Sequence, residues 1–212
     1  MSPIVHIVRH GESRHNVEVN GDALRDPSLT ATGAEQAVAL GLGFPHTASV
    51  SLFISSPMRR AIQTALLAFG HLMPAQDARL ALVPELQESS ARPSDTGSPP
   101  AELLAEFGDK VVDTSLLADD WFLKDASTSY GARDQAKVAE RARLARLHIR
   151  GLAQGLADDE HIVVVAHSGF IKHLIQGAPK FKNAEERPCR FVDVHGDDDQ
   201  ALLAEIEAET NQ

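Results

Sequence analysis

The chain has 212 residues, 43% of them hydrophobic, enough to bury a sizeable core in one compact domain. A formal net charge of −10 argues against nonspecific binding to nucleic acid or anionic membrane, and requires any anion site to be a local positive island. No apolar run approaches the ~20 residues that cross a bilayer. Met1-Ser2-Pro3 lacks the basic stretch of a secretory signal, and the lone Cys189 permits no internal disulfide, so a reducing cytosol or nucleus is the expected compartment.

The elements follow in chain order. Ile4-Val5-His6-Ile7-Val8 is an apolar strand that ends in Arg9-His10-Gly11-Glu12, with Asn16 a turn later. Thr32-Gly33-Ala34-Glu35 reads as a capping box opening a helix that ends near Gly41 or Gly43. Ser51-Leu52-Phe53-Ile54 is a short buried strand. Ser56 is then the expected N-cap of a helix with Pro57 at its first position and Ile62, Leu66 and Phe69 on its apolar face. Leu80-Ala81-Leu82-Val83 is a further strand. The serine- and proline-rich stretch from Ser89 to Pro100 reads as a long loop, and Asp109 to Arg133 has weak periodicity, pinned to the body by Trp121 and Phe122. Asp134 caps a long helix with Val138, Ala142, Ala145, Ile149, Leu152 and Leu156 along its core stripe. Ile162 to Ala166 is a second apolar strand running into His167-Ser168-Gly169, followed by a helix carrying Phe170, Ile171, Leu174 and Ile175. Phe191 to Val194 reads as a strand, and His195 to Asp199 as a turn whose acidic run is a solvated hairpin rather than a metal site. Ala201 to Ile206 is an edge strand or short helix, and residues 207–212 are expected to fray. Strands alternating with helices indicate an α/β domain with a largely parallel sheet. No repeat or linker divides the chain, so residues 1–212 are expected to form one domain.

Two apolar strands each deliver a histidine at the carboxyl end, where open α/β sheets bind their ligands. Taken singly, His10 or His167 would most often be a core residue, and Arg60 a helix-surface charge. Four segments, however, occur together in order: Arg9-His10-Gly11-Glu12, Asp26-Pro27-Ser28-Leu29-Thr30-Ala31-Thr32-Gly33, Ser55-Ser56-Pro57-Met58-Arg59-Arg60-Ala61-Ile62-Gln63-Thr64-Ala65, and Ala166-His167-Ser168-Gly169-Phe170. In that order they resemble the histidine phosphatase superfamily, the phosphoglycerate mutase-like fold, from Ile4 to about Ile175. The resemblance implies a three-layer α/β fold with a mostly parallel central sheet flanked by helices on both faces, and an irregular substrate-side insertion over residues 85–133. It also implies roles. His10 would be the nucleophile that forms a phosphohistidine, His167 would be a catalytic residue donating to the phosphate oxygens, and Arg9, Arg60, Asn16 and Ser168 would bind the phosphate while Arg59 points elsewhere. Glu88 would be the proton donor, with Glu85 as the alternative. No cofactor or metal is implied, and the partner is a small phosphorylated substrate.

The chemistry suits these residue types. A phosphate monoester is dianionic near neutral pH, so a neutral imidazole attacks without repulsion, and nearby Arg9 and Arg60 should push the pKa of His10 down. Guanidinium groups bind phosphate oxygens in a fork and stabilise charge in transfer, and helix N–H groups after Gly11 and His167 can join the cradle. A carboxylic acid can protonate the leaving alkoxide. The segment after the acid, Ser89 to Ser98, departs from the mutase pattern. Together with Trp121-Phe122 it looks like small fungal-type phosphatases of this superfamily, so a metal-independent phosphatase is expected. A cofactor-dependent phosphoglycerate mutase, a non-catalytic phospholigand-binding protein and a specialised biosynthetic member are the alternatives. Ser94 to Gly97 either line the pocket or form a turn, Arg14, Arg92 and Lys172 are candidates for contact with the rest of the substrate, and Cys189 is expected to be a buried filler.

Overall fold

A computed structural model describes residues 2–124, 134–175, 179–193 and 198–206. In chain order it comprises β1 (Ile4–Arg9), α1 (Arg14–Val17), α2 (Ala31–Gly43), β2 (Val50–Ser55), α3 (Arg59–Phe69), β3 (Leu80–Leu82), α4 (Pro100–Phe107), β4 (Val112–Asp113), α5 (Gln135–Leu152), β5 (His161–Ala166), α6 (Ser168–Leu174), β6 (Glu186–Phe191) and β7 (Leu203–Glu205), with short 3₁₀ turns between. The sheet order is β4-β3-β2-β5-β1-β6-β7. The first five strands are parallel, β6 runs antiparallel to β1, and β7 closes the far edge against β6.

Alternation along the central strands explains the three layers. Val5, Ile7, Ile54, Ile162 and Val164 face one side and pack on α5 and α6, through Val138, Ala142, Ala145, Ile149, Phe170 and Ile171. Val8, Phe53, Val163 and Val165 face the other side and pack on Ala61, Ile62, Ala65 and Phe69 of α3. Both faces of a mostly parallel sheet are therefore covered, as the resemblance implies. Leu152 departs from the expected α5 stripe: it is 39% exposed at the end of the helix.

Several local expectations shift, each for an identifiable reason. The cap of α2 is Thr30, not Thr32, because Thr30 Oγ1 accepts from Gly33 N at 3.0 Å. Ser56 does not cap α3. The chain stays extended through Met58, and a tertiary cap replaces the local one, with Asp26 Oδ1 accepting from Arg59 N at 3.0 Å. The 85–133 stretch read as irregular contains α4 and the fifth parallel strand, β4. Their signals are short: Leu103 is the one fully buried side chain of α4, and β4 has two residues. The strand expected at Phe191 to Val194 lies earlier, at Glu186–Phe191, where Pro188 and the flanking charges mask an alternation whose core-facing members are Cys189 and Phe191. Val194, the residues 195–197 of the acidic turn, the loop 125–133 and the terminus 207–212 lie outside the described residues. Asp198, from that turn, pairs with Arg150 at 3.2 Å and accepts from Gln200 N and Ala201 N. No helix among the described residues is long and apolar enough to cross a membrane.

Candidate active site

β1 and β5 are adjacent and parallel, with Arg9 opposite Ala166, so the residues that follow them emerge at the same edge of the sheet. His10 N donates to Ala166 O at 3.0 Å, locking the two strand ends in register. The His10 and His167 rings lie 5.1 Å apart, both buried. His10 Nδ1 is 2.6 Å from Gly11 O. A carbonyl can only accept, so Nδ1 carries the proton and Nε2 carries the lone pair. Burial, then Arg60, then Arg9 hold the His10 pKa well below the usual imidazole value, so desolvation leads the two cations expected to act. His167 is likewise held far down, by burial and then by Arg60 and His10. His167 Nε2 lies 2.8 Å from Ser56 Oγ, while its buried Nδ1 has no partner among the described residues.

Arg60 projects from the first turn of α3 and is 1% exposed. One terminal nitrogen donates to Ser94 O at 2.6 Å and the other to Asp95 Oδ1 at 2.8 Å; Nε has no partner among the described residues. Arg9, at the end of β1, donates to Phe181 O at 2.8 Å, and its buried Nε likewise has no partner among the described residues. Glu88 bridges two loops. Its Oε1 accepts from Ser89 N at 2.6 Å, and its Oε2 accepts from Gly169 N at 3.0 Å, one residue past Ser168 at the start of α6. Gly169 must be glycine for this contact: a Cβ there would lie 2.8 Å from the Glu88 carboxyl carbon. Glu85 turns the other way and meets His148 of α5 at 3.1 Å.

Other expected residues are placed less centrally. Asn16 is exposed, and its amide serves local bonds, accepting from Ser13 N at 3.0 Å and meeting His15 Nε2 at 3.0 Å. Ser168 is half-buried at the start of α6. Arg59 points to Asp26 and Glu106. Arg14 pairs with Glu18 and Arg92 with Asp22 at the surface, and Lys172 is exposed. Cys189 is buried in the core, and burial pushes its thiol up to about 12, which suits a filler rather than a nucleophile.

Sequence reasoning missed four groups. Ser56 was read as a cap, yet its hydroxyl meets His167. Thr64 Oγ1 accepts from Gly11 N at 3.0 Å and donates to Arg60 O at 2.7 Å, tying α3 to the turn after β1. His15 lies 5.9 Å from His10, and burial and then Arg60 bring its pKa to about 4. Lys124 donates to carbonyls of the Glu88 loop. The first two lie inside quoted segments and could have been weighed there, but Lys124 has no sequence signal.

The segments that carry the resemblance are physically cross-linked. Thr30 Oγ1 donates to Glu12 Oε1 at 2.7 Å, Gln63 Oε1 accepts from Leu29 N at 2.8 Å, and Thr64 accepts from Gly11. The sequence model described as histidine phosphatase superfamily (branch 1) matches residues 5–196, nearly the whole chain. The chain belongs to the histidine phosphatase superfamily. A curated relative, a probable phosphatase of Schizosaccharomyces pombe, is 30% identical over 105 residues; that alignment covers 49% of this chain and spans about half the length of the relative. Among solved structures, the ecdysone phosphate phosphatase of Bombix mori, in complex with tungstate, superposes with a TM-score of 0.62 at 16% identity and covers 89% of each chain. The native mycobacterial glucosyl-3-phosphoglycerate phosphatase gives 0.59 at 20% identity and 97% coverage of each chain. At these identities the structural likeness shows the superfamily's fold, with His10, Arg60 and His167 at the carboxyl edge of its sheet.

Proposed function

We propose that this superfamily member is a metal-independent phosphomonoester hydrolase that works through a phosphohistidine on His10, with the whole chain acting as one catalytic domain on a small phosphorylated substrate in the cytosol. The observation that carries this reading is the His10 tautomer. The Gly11 carbonyl accepts a hydrogen bond from Nδ1–H, so a neutral imidazole keeps its Nε2 lone pair beside the buried Arg60 and half-buried Arg9 guanidinium groups. Among the described residues, Arg9 Nε, Arg60 Nε and, in the tautomer whose Nε2 accepts from Ser56 Oγ, His167 Nδ1 are buried donors without acceptors, and phosphate oxygens would satisfy them.

His10 Nε2 attacks phosphorus as the ester P–O bond breaks, and Glu88, protonated, gives its proton to the departing alkoxide. Water then attacks the phosphohistidine, the Glu88 carboxylate takes a proton from it, and the P–N electron pair returns to His10. The products are an alcohol and inorganic phosphate, and both residues end as they began. The arginines supply fixed positive charge where the transferring group spreads its own. Glu88 is preferred to Glu85 because it sits against Gly169, next to the His167 strand end, whereas Glu85 is engaged by His148. The pocket-lining reading of Ser94 and Asp95 is favoured by their hold on Arg60, while Asn16, spent locally, has the least support of the phosphate set. The test is a panel of phosphorylated metabolites read by released phosphate, with phosphoglycerate isomerisation measured in parallel. Phosphate release without isomerisation supports hydrolysis; efficient isomerisation with little release would replace it with a mutase.

A further inference from the structure

Three carbonyl oxygens of the loop that begins at Glu88 converge on one ammonium group. Lys124 Nζ donates to Glu88 O at 2.8 Å, to Ser90 O at 2.9 Å and to the Asp95 carbonyl. An ammonium has three N–H donors, so these contacts use them all. The segment holding Lys124 is itself anchored. Trp121 is fully buried and donates from Nε1 to Ser98 O at 2.9 Å, and Gln87 Nε2 donates to Trp121 O at 3.1 Å. The Trp121–Lys124 stretch therefore grips the loop just before Glu88, in its middle and at its end.

The two side chains this loop presents both serve the reaction. Glu88 faces Gly169, and Asp95 holds one arm of Arg60 while its other oxygen accepts from Ser90 Oγ at 2.5 Å. We propose that Lys124 is a positioning residue whose charged ammonium fixes the Glu88 end of this loop and thereby sets the proton donor. The inference rests on the phosphatase reading above. It has a pH corollary. A neutral amine keeps two donors and turns a lone pair toward the third carbonyl, which loosens the tripod. Facing Lys124 are Asp95 and Glu88 from the loop, Arg141 from α5, Arg60 from α3 and His167 after β5. Burial dominates among these influences and brings the Lys124 pKa to about 7. The grip is complete below that value and is lost as pH rises through it.

The experiment compares Lys124→Met with Glu88→Gln on alkyl and aryl phosphates. A misplaced donor costs alkyl esters most, because their leaving group needs the proton. The expected result is a fall in alkyl kcat of about 10- to 100-fold, a smaller fall for aryl esters, and no further alkyl loss when Lys124→Met is added to Glu88→Gln. Equal losses on both esters, or a full additional loss in the double variant, would overturn the proposal. If Lys124→Met does not fold, Lys124→Arg decides. Its guanidinium stays protonated, so the alkaline limb of alkyl kcat moves upward, and an unmoved limb would overturn the assignment. Fluorescence of Trp121, the single tryptophan, provides a readout independent of turnover. The wild type should show a transition near neutral pH that Lys124→Arg lacks, and the same transition in both would also overturn it. If the wild type releases no phosphate from any ester, the functional reading falls, and the fluorescence comparison still settles whether Lys124 holds the loop.

Discussion

Strands β1 and β5 carry or lead into four buried histidines, and two of them meet a very different environment from the other two. At the carboxyl edge, His10 and His167 sit among arginines, and His167 keeps a buried nitrogen without a partner among the described residues. Within β1 and at the start of β5, His6 and His161 satisfy each other. Glu186 Oε1 meets His6 Nδ1 at 2.6 Å, His6 Nε2 meets His161 Nδ1 at 2.7 Å, and His46 stacks on His161 at 4.3 Å. Burial is common to both pairs, so burial does not single out the pair proposed to react. Unspent hydrogen-bonding capacity next to fixed positive charge does.

The largest effect expected from breaking this contrast is at His10. His10→Ala should lower aryl phosphate hydrolysis by at least ~10³-fold, while His6→Gln should leave it near the wild-type rate; steady-state assays on both check this, and an active His10→Ala would remove the nucleophile. Next, Glu88→Gln should slow alkyl esters by ~10²–10⁴-fold, the usual worth of a general acid, and aryl esters less. Equal losses would count against Glu88 as donor. Arg60→Lys keeps the charge but not the planar fork, and should cost ~10²–10³-fold in kcat, comparable to losing one oxyanion donor; a near-normal rate would show that charge alone suffices.

The smaller effects concern the self-satisfied pair and the proposed independence from metal. Burial, then His6 and His46, bring His161 to about 4, below the ~6.5 of an unfolded histidine. The unfolded chain therefore binds the extra proton first. The stability that neutral His161 contributes is complete above ~6.5 and is lost as pH falls toward about 4. Thermal melts of His161→Gln across this range should show a shallower acid loss than wild type, with activity at neutral pH retained; an unchanged slope would mean that other groups drive the acid sensitivity. EDTA should leave turnover unchanged, and inhibition reversed by a divalent cation would contradict the metal-free mechanism.

Much of this was legible in the sequence. The paired strand ends predict a shared edge because parallel apolar runs have little freedom of placement. What stayed hidden depends on distant partners. Asp26 caps α3 from 33 residues away in sequence, so local capping rules chose Ser56 instead. β6 carries a proline and three charged residues, and reads as a strand only once β1 and β7 flank it. Asp95 could be read as pocket or turn because nothing nearby reveals that Arg60 reaches it. Lys124 lies in a segment without periodicity, and its acceptors are backbone carbonyls, which carry no residue identity.

The most direct test of the central claim is rapid acid-free quenching during turnover of an aryl phosphate, followed by peptide mass spectrometry at neutral to alkaline pH. An acid-labile phosphoryl group on the peptide containing His10, absent in His10→Ala, is the predicted result. A phosphoryl group found instead on His167 or another residue, or a turnover burst with no modified peptide, would contradict it.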